Sequence, residues 1–130
     1  MTRPAMAASA MDDTLHLGLA AATARLAQLP APFVTLFERG DLSVELFAPR
    51  GRDAQTPHEQ DEMYVVASGS GVFRRGDETV AFSAGDALFV PAGVEHRFEQ
   101  FSDDFRTWVI FFGPLDGYDA LLDSAAPFSG

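Results

Sequence analysis

The sequence predicts an all-β barrel or sandwich that is preceded by one α-helix. Three observations support this fold class: helical spacing of apolar residues before Pro30, short apolar or alternating segments after Pro32, and turn residues between those segments. The chain has 130 residues, of which 47% are apolar, and this length corresponds to one domain with a single core.

The helix is predicted for residues 12–29. Apolar residues recur there at alternating four- and three-residue intervals, which places them on one face of a helix. These residues are Leu15, Leu19, Ala22, Leu26 and Leu29. Asp12 or Asp13 caps the start of the helix, and Pro30 with Pro32 ends it. We expect the apolar face to pack against the outside of the barrel or against a second subunit.

Eight short strands are predicted after Pro32, with Gly, Asp and Ser at the turns between them. This arrangement is typical of all-β sandwiches and barrels rather than of parallel β/α units. The predicted strands are residues 33–39, 42–47, 62–68, 71–74, 79–83, 86–90, 95–100 and 107–112. Beyond Pro114, residues 118–123 are predicted to form a short helix.

The chain is strongly acidic. It has 19 Asp and Glu residues against nine basic residues, all of them Arg, and its formal net charge is −10. Such a charge repels both a phosphate backbone and an anionic membrane surface. We therefore expect neither a nucleic acid nor a membrane as a partner.

The absence of cysteine excludes a disulfide framework, a thiolate nucleophile and a structural zinc site with Cys ligands. Residues 1–13 lack the continuous apolar run of a signal peptide. No stretch approaches the roughly 18 apolar residues that are needed to span a bilayer. These features together predict a cytoplasmic protein.

Two polar stretches contain the histidines His58 and His96, which are 38 positions apart. In the first stretch, three residues separate His58 from Glu62, and six residues separate Glu62 from Gly69. The second stretch begins at Gly85 and runs through five residues to Pro91-Ala92-Gly93. His96 then follows after two further residues.

Together the two stretches resemble the two signature motifs of the cupin superfamily, and the resemblance covers residues 42–112. This chain departs from the family pattern at two positions, since Thr56 stands in place of the first histidine and Gln100 in place of the final asparagine. The resemblance implies a double-stranded β-helix, which is a jelly-roll barrel. It also implies that His58, Glu62 and His96 are metal ligands.

Strand pattern and resemblance together predict how the chain is divided. Residues 1–32 form an N-terminal tail and helix, residues 33–114 the cupin β-barrel, and residues 115–130 a C-terminal tail. Cupin sheets often pair with those of a second copy, and the apolar N-terminal helix fits such an arrangement. We therefore expect a homodimer.

The alternation of side chains along a strand places Glu62 and Tyr64 on one face and His96 and Phe98 on another. If both faces look into the barrel, His58, Glu62 and His96 converge there. Two imidazoles and one carboxylate suit a divalent first-row transition metal such as Fe, Mn, Ni or Zn. Three protein ligands leave open positions for water, substrate or dioxygen.

Thr56 leaves one ligand position of the family pattern without a histidine. Gln60 or Asp61 supplies a replacement oxygen if the loop before the strand bends inward, and Thr56 itself is a weaker alternative. Gln60 is favoured because it shares the parity of His58 and Glu62. Gln60 and Tyr64 are also the candidate catalytic residues, since either can orient groups bound to the metal.

Several apolar or aromatic residues either line a pocket above the metal or fill the core. They are Tyr64, Phe98, Trp108 and Ile110. A pocket of this kind suits a small organic molecule that carries a chelating pair of oxygen atoms. The predicted partner is therefore a small molecule inside the barrel.

Three functions fit these residues. The first is a small-molecule dioxygenase that uses a site of two histidines and one carboxylate, the ligand set of non-haem Fe(II) oxygenases. The second is a non-catalytic cupin that binds or senses a small molecule. The third is a metal-dependent isomerase or epimerase, which requires an acid–base pair beyond the metal ligands.

Overall fold

The computed structural model describes residues 11–118 of the chain. One α-helix is followed by eight β-strands in this region. Their bounds are α1 Leu19–Ala27, β1 Phe33–Arg39, β2 Leu42–Phe47, β3 Asp61–Ser68, β4 Ser70–Arg75, β5 Glu78–Ser83, β6 Ala87–Val90, β7 His96–Glu99 and β8 Arg106–Phe112. All eight predicted strands are present, and their ends differ from the predicted ends by at most one residue.

The strands form two antiparallel sheets. The larger sheet has the order β1-β2-β8-β3-β6, and the smaller one has the order β5-β4-β7. In the larger sheet, β8 lies between β2 and β3, so that a late strand separates two earlier ones. This antiparallel two-sheet arrangement is the predicted jelly-roll barrel, and the fold class predicted from the sequence is confirmed.

The core lies between the inner faces of the two sheets. In β3, Glu62, Tyr64 and Val66 are buried while Met63 and Val65 are partly exposed, as the predicted alternation requires. Phe98 of β7 lies at the centre of this core. Its ring contacts several aromatic rings at centroid distances of 4.7–6.2 Å, namely those of Phe47, Tyr64, Phe73, Phe82 and Phe105. Aromatic packing therefore joins the two sheets.

Gly69 shows why the first motif ends in glycine. Its φ angle is +85°, and a Cβ atom built there would lie 2.6 Å from the Cα atom of Phe105. No other residue fits both the left-handed backbone and this close approach. The turn between β3 and β4 therefore packs directly against the segment that leads into β8.

The N-terminal helix is shorter than predicted. Residues from Met11 to Gly18 do not form its first turns. Instead Met11 pairs with Arg39 and the Asp12 N–H donates to the Glu38 carbonyl oxygen, so the start of this segment lies beside the end of β1. Gly18 caps the helix with an extended backbone and no side-chain hydrogen bond. The predicted start at Asp12 or Asp13 is therefore wrong.

The helix packs on the outer face of the larger sheet, as the sequence predicts. Ala22 and Leu26 are buried there against Val34 and Leu46. Leu15 belongs to the predicted apolar face but lies before the helix and is 99% exposed. The helix thus covers the sheet with two residues of the predicted face rather than with all five.

The C-terminal helix predicted for residues 118–123 lies outside the described residues except for Tyr118, which is in a bend. Within residues 11–118, no helix has the length and apolar character needed to cross a membrane.

We predict that Leu26→Ala lowers the free energy of unfolding by about 2–4 kcal/mol, because it opens a cavity between the helix and the sheet. Leu15→Ala is the matched control and changes it by less than about 0.5 kcal/mol, because its side chain is exposed. Urea denaturation followed by the fluorescence of Trp108, which packs against this cluster, measures both. Equal effects of the two substitutions would show that the helix is not docked.

Candidate metal centre

Backbone pairing brings the two motifs together. Glu62 of β3 lies opposite Val90 of β6, the strand that leads into the second motif. In the turn after β6, the N–H of Gly93 donates to the carbonyl oxygen of His58 at 2.8 Å. The N–H of Ala92 donates to the carboxylate of Asp61 at 2.9 Å. The second motif is therefore bonded to the first at His58 and at Asp61, the residue before Glu62.

His58, Glu62 and His96 converge on one point inside the barrel. A ligand atom from each of them lies within 4.8 Å of the other two. The Oε1 atom of Glu62 lies 2.8 Å from Nε2 of His96 and 3.8 Å from Nε2 of His58. All three side chains are buried, with relative exposures of 7% for His58 and at most 1% for the other two.

The hydrogen bond of His96 to the backbone decides which ring nitrogen faces the site. Its Nδ1 atom lies 2.9 Å from the carbonyl oxygen of Val94. A carbonyl oxygen only accepts hydrogen bonds, so Nδ1 carries the proton and a neutral ring presents the lone pair of Nε2 to Glu62. A lone pair and a carboxylate oxygen 2.8 Å apart need a cation or a proton between them.

Burial and the charge of Glu62 act in opposite directions on the two histidines. Burial lowers the pKa of His58, and the more distant Glu62 only partly offsets this. Burial also lowers the pKa of His96, but its hydrogen bond to Glu62 and the charge of that carboxylate outweigh burial and raise the pKa above its usual value. Without a metal, a proton therefore occupies His96 more readily than His58.

A fourth donor atom, the side-chain oxygen of Gln55, points into the site, and the sequence analysis did not identify this residue. Its Oε1 atom lies 3.3 Å from Nε2 of His58 and 3.2 Å from Nε2 of His96. It also accepts a hydrogen bond of 3.0 Å from the hydroxyl of Tyr64. The Nε2 atom of Gln55 donates to Asp53 at 2.6 Å, so the amide oxygen has to face the histidines.

The spacing of these atoms fits one metal ion. Ligand atoms that lie about 2.1 Å from a metal and at right angles to one another are about 3 Å apart. The four distances that join the oxygen atoms of Glu62 and Gln55 to the two histidine Nε2 atoms run from 2.8 to 3.8 Å. The donor set of two imidazoles and a carboxylate is the one that first-row transition metals prefer. These residues therefore fit the metal that the sequence predicts.

A family model described as a cupin domain matches residues 43–111, just over half of the chain. This chain belongs to the cupin family. An uncharacterized protein of Streptomyces coelicolor is 38% identical to this cupin over 84 residues, which cover 63% of this chain and 80% of that protein.

Solved structures give the same fold for this cupin. A conserved protein of unknown function from Streptococcus pyogenes is similar with a TM-score of 0.58 and 20% identity, covering 82% of this chain and 96% of that one. KdgF from Halomonas sp. is similar with a TM-score of 0.54 and 21% identity, covering 61% and 74% of the two chains. At these identities the likeness concerns the fold alone.

Gln60 does not occupy the position that the sequence analysis favoured for it. Its Nε2 atom donates to the carbonyl oxygens of Asp41 and Gly113, each at 2.8 Å, so its amide joins two loops at the end of the sheet. Gln55, and not Gln60, is the amide that contacts the histidines. The two other candidate ligands are also placed elsewhere, because Thr56 is exposed and Asp61 bonds Ala92.

A change of phase in the loop explains why the sequence pattern missed Gln55. Alternation counted backwards from His58 predicts that Thr56 faces inward. In the structure Asp53 and Gln55 are buried while Thr56 and Pro57 are exposed. The alternation of buried and exposed side chains thus shifts by one residue beside Pro57, a residue that does not belong to a regular strand. A signal was present in Asp53-x-Gln55, two polar residues at strand spacing.

Tyr64, which the sequence predicts to orient groups at a metal, lies beside His96 and Gln55. It is fully buried and its hydroxyl donates to Gln55. Burial, followed by the nearby charge of Glu62, raises the pKa of Tyr64 well above its ordinary value. Tyr64 is therefore a neutral hydrogen-bond donor at physiological pH.

Trp108 and Ile110 do not line the interior. The inward residues of β8 are Thr107, Val109 and Phe111, all buried. Trp108 lies on the opposite face of the strand, where it packs against the cluster of the N-terminal helix. On the inner face of this strand the ring of Phe111 meets that of His58 edge-on at a centroid distance of 5.1 Å.

We predict that in metal-free protein the ring of His96 titrates above pH 6.5 and that of His58 below it. Protonation of His96 therefore stabilises the fold at pH below 6.5, and this contribution is lost as the pH rises through the raised pKa. Ring C–H chemical shifts measured by NMR in the presence of a chelator give both midpoints.

Glu62→Gln is the matched control for this titration. It removes the charge that raises the pKa of His96 and leaves burial, so the midpoint of His96 moves to lower pH. An unchanged midpoint in this variant would contradict the contact between Glu62 and His96.

Proposed function

We propose that this cupin binds one divalent first-row transition metal and uses it as a small-molecule dioxygenase. The observation that carries the proposal is the convergence of His58, Glu62 and His96 in a buried position, with the Nε2 lone pair of His96 directed at the Glu62 carboxylate. A buried carboxylate that faces a lone pair is costly unless a cation joins them.

The composition of the ligands supports oxygenase chemistry. Two histidines and one carboxylate with open positions are the ligands of non-haem Fe(II) oxygenases. A metal held by these residues would supply open positions for dioxygen and for an oxygen donor of the substrate. The structural metal sites that Cys ligands form are excluded, since the chain has no cysteine.

The residues around the ligands orient the site and keep it dry. Tyr64 donates a hydrogen bond next to the ligands, and the Val94 carbonyl fixes the ring of His96. The rings of Phe111 and Phe73 pack beside His58 and His96 respectively. This apolar surrounding suits a small organic substrate that offers two oxygen atoms to the metal, such as an enediol, a phenol or a 2-oxo acid.

An isomerase or epimerase is the second candidate, and one observation favours it. Glu45 of β2 is fully buried and lies on the same strand face as Phe47, which belongs to the interior aromatic cluster. It is paired across the sheet with Val109, which in turn lies opposite Tyr64. Glu45 thus provides an interior carboxylate beyond the metal ligands, which the sequence analysis did not find.

We predict that protein purified without a metal-affinity tag and loaded with Fe²⁺ or Mn²⁺ holds about one equivalent of metal, because one set of ligands converges. His96→Ala abolishes this binding. His16→Ala is the control, since His16 is exposed in the described segment before α1, and it keeps the metal. Elemental analysis after gel filtration measures all three, and a metal-free wild type that resists loading would reject the proposed function.

We further predict that iron-loaded protein consumes dioxygen with at least one enediol, phenol or 2-oxo acid, while His96→Ala does not. An oxygen electrode gives the rate, and NMR of the products identifies the cleaved bond. Conversion of a substrate to an isomer without any oxygen uptake would instead favour the isomerase candidate.

A further inference from the structure

We propose that Gln55 is a fourth protein ligand of the metal and that Asp53 is the positioning residue that holds it. This inference rests on the proposed metal site and goes beyond its three predicted ligands. The family pattern has a histidine where this chain has Thr56. In this proposal the side-chain oxygen of the preceding residue, Gln55, takes the place of that histidine as a ligand. The donor set then consists of two imidazole nitrogens, one carboxylate oxygen and one amide oxygen.

The position of the Gln55 oxygen supports this role. It lies at nearly equal distances from the two histidine nitrogens, 3.3 Å from His58 and 3.2 Å from His96. These are separations of neighbouring ligands around a single ion. Gln55 is only 2% exposed, so its oxygen has no access to bulk water. Amide oxygens are ordinary ligands for divalent ions, and they are harder donors than imidazole.

Asp53 fixes which end of the Gln55 amide faces the histidines. Its Oδ2 atom accepts hydrogen bonds from the Gln55 side chain at 2.6 Å and from the N–H of Phe98 at 2.9 Å. Its Oδ1 atom accepts the backbone N–H of Gln55 at 3.0 Å. If the amide were reversed, its oxygen would face the Asp53 carboxylate, and two acceptors would be in contact.

Asp53 is itself buried, with a relative exposure of 2%. A buried carboxylate is stable when several N–H groups donate to it, and Asp53 has three such bonds. Because one of these comes from Phe98 at the centre of the aromatic core, the chain Phe98–Asp53–Gln55 links the core to the metal position. Groups that orient a ligand in this way typically change metal affinity about 10–100-fold when they are removed.

The experiment measures the affinity of the metal-free protein for Co²⁺ alone, by chelator competition, together with the visible spectrum of bound Co²⁺. Gln55→Leu removes the amide oxygen at similar volume, and we expect it to weaken binding by about 10–100-fold and to change the spectrum. Gln55→Asn keeps a polar side chain but shortens it by one methylene, and we expect it to weaken binding as well. It takes the place of Gln55→Leu in the experiment if that variant does not fold.

Gln60→Leu is the matched control, because Gln60 is the other buried glutamine near the motif and bonds only backbone carbonyls through its Nε2. We expect it to lower the stability of the fold in urea and to leave Co²⁺ affinity within about twofold of the wild type. If Gln55→Leu and Gln60→Leu both lose Co²⁺ affinity in proportion to their loss of stability in urea, the assignment of Gln55 as a ligand is overturned.

A double-mutant cycle tests Asp53. Asp53→Ala removes the oxygen that accepts both the Gln55 side chain and the Phe98 N–H, and we expect it to weaken Co²⁺ binding about tenfold in the otherwise wild-type protein. In the Gln55→Leu background the same substitution should cause no further loss, because the residue that it positions is gone. Independent, additive losses would overturn the positioning role.

The outcomes separate this inference from the proposed function. If the wild type and Gln55→Leu bind Co²⁺ with the same affinity and the same spectrum, Gln55 is not a ligand. The proposed site of His58, Glu62 and His96 would be unaffected by that result. Wild type that binds no metal at all would reject both proposals.

Discussion

Electron-pair donors gathered inside the barrel form the constraint on which the rest of the site depends. Glu62 and Gln55 present oxygen atoms that only accept, and the backbone bond of His96 turns a lone pair towards the same point. In water each of these atoms would be solvated, but here all of them are buried. Positive charge at this point therefore stabilises the folded chain. A proton on His96 supplies part of that charge, and a divalent ion would supply more.

The aromatic core keeps these atoms in place. Phe98 contacts rings from both sheets with its side chain, and with its backbone N–H it donates to Asp53. Phe111 packs against His58, and the Gly93 N–H holds the carbonyl oxygen of that histidine. Side chains that are locked by packing and by hydrogen bonds have little freedom to lose when a metal binds. The large number of Phe residues in this small protein thus serves both stability and the geometry of the site.

Much of the fold follows from local patterns. Strand bounds were predictable because alternation and turn residues act over a few neighbouring positions, and no tertiary contact reverses them in this chain. The N-terminal helix was predicted too long for the opposite reason. Leu15 has helical spacing, but Met11 and Asp12 at the start of this segment bond Glu38 and Arg39 at the end of β1 instead. Spacing alone does not report such a competing partner.

The sequence by itself determined the fold class, and its two motifs singled out His58, Glu62 and His96, the three residues whose side chains converge inside the barrel. It also determined the acidic, cysteine-free character of the chain. Only the tertiary structure decided that Gln55 rather than Gln60 faces the histidines, and that Trp108 supports the helix rather than the pocket. The physical reason is that each position depends on contacts that strand alternation does not report. Gln55 is held by Asp53, which Phe98 in turn fixes. Trp108 packs against the cluster that contains the helix residues Ala22 and Leu26.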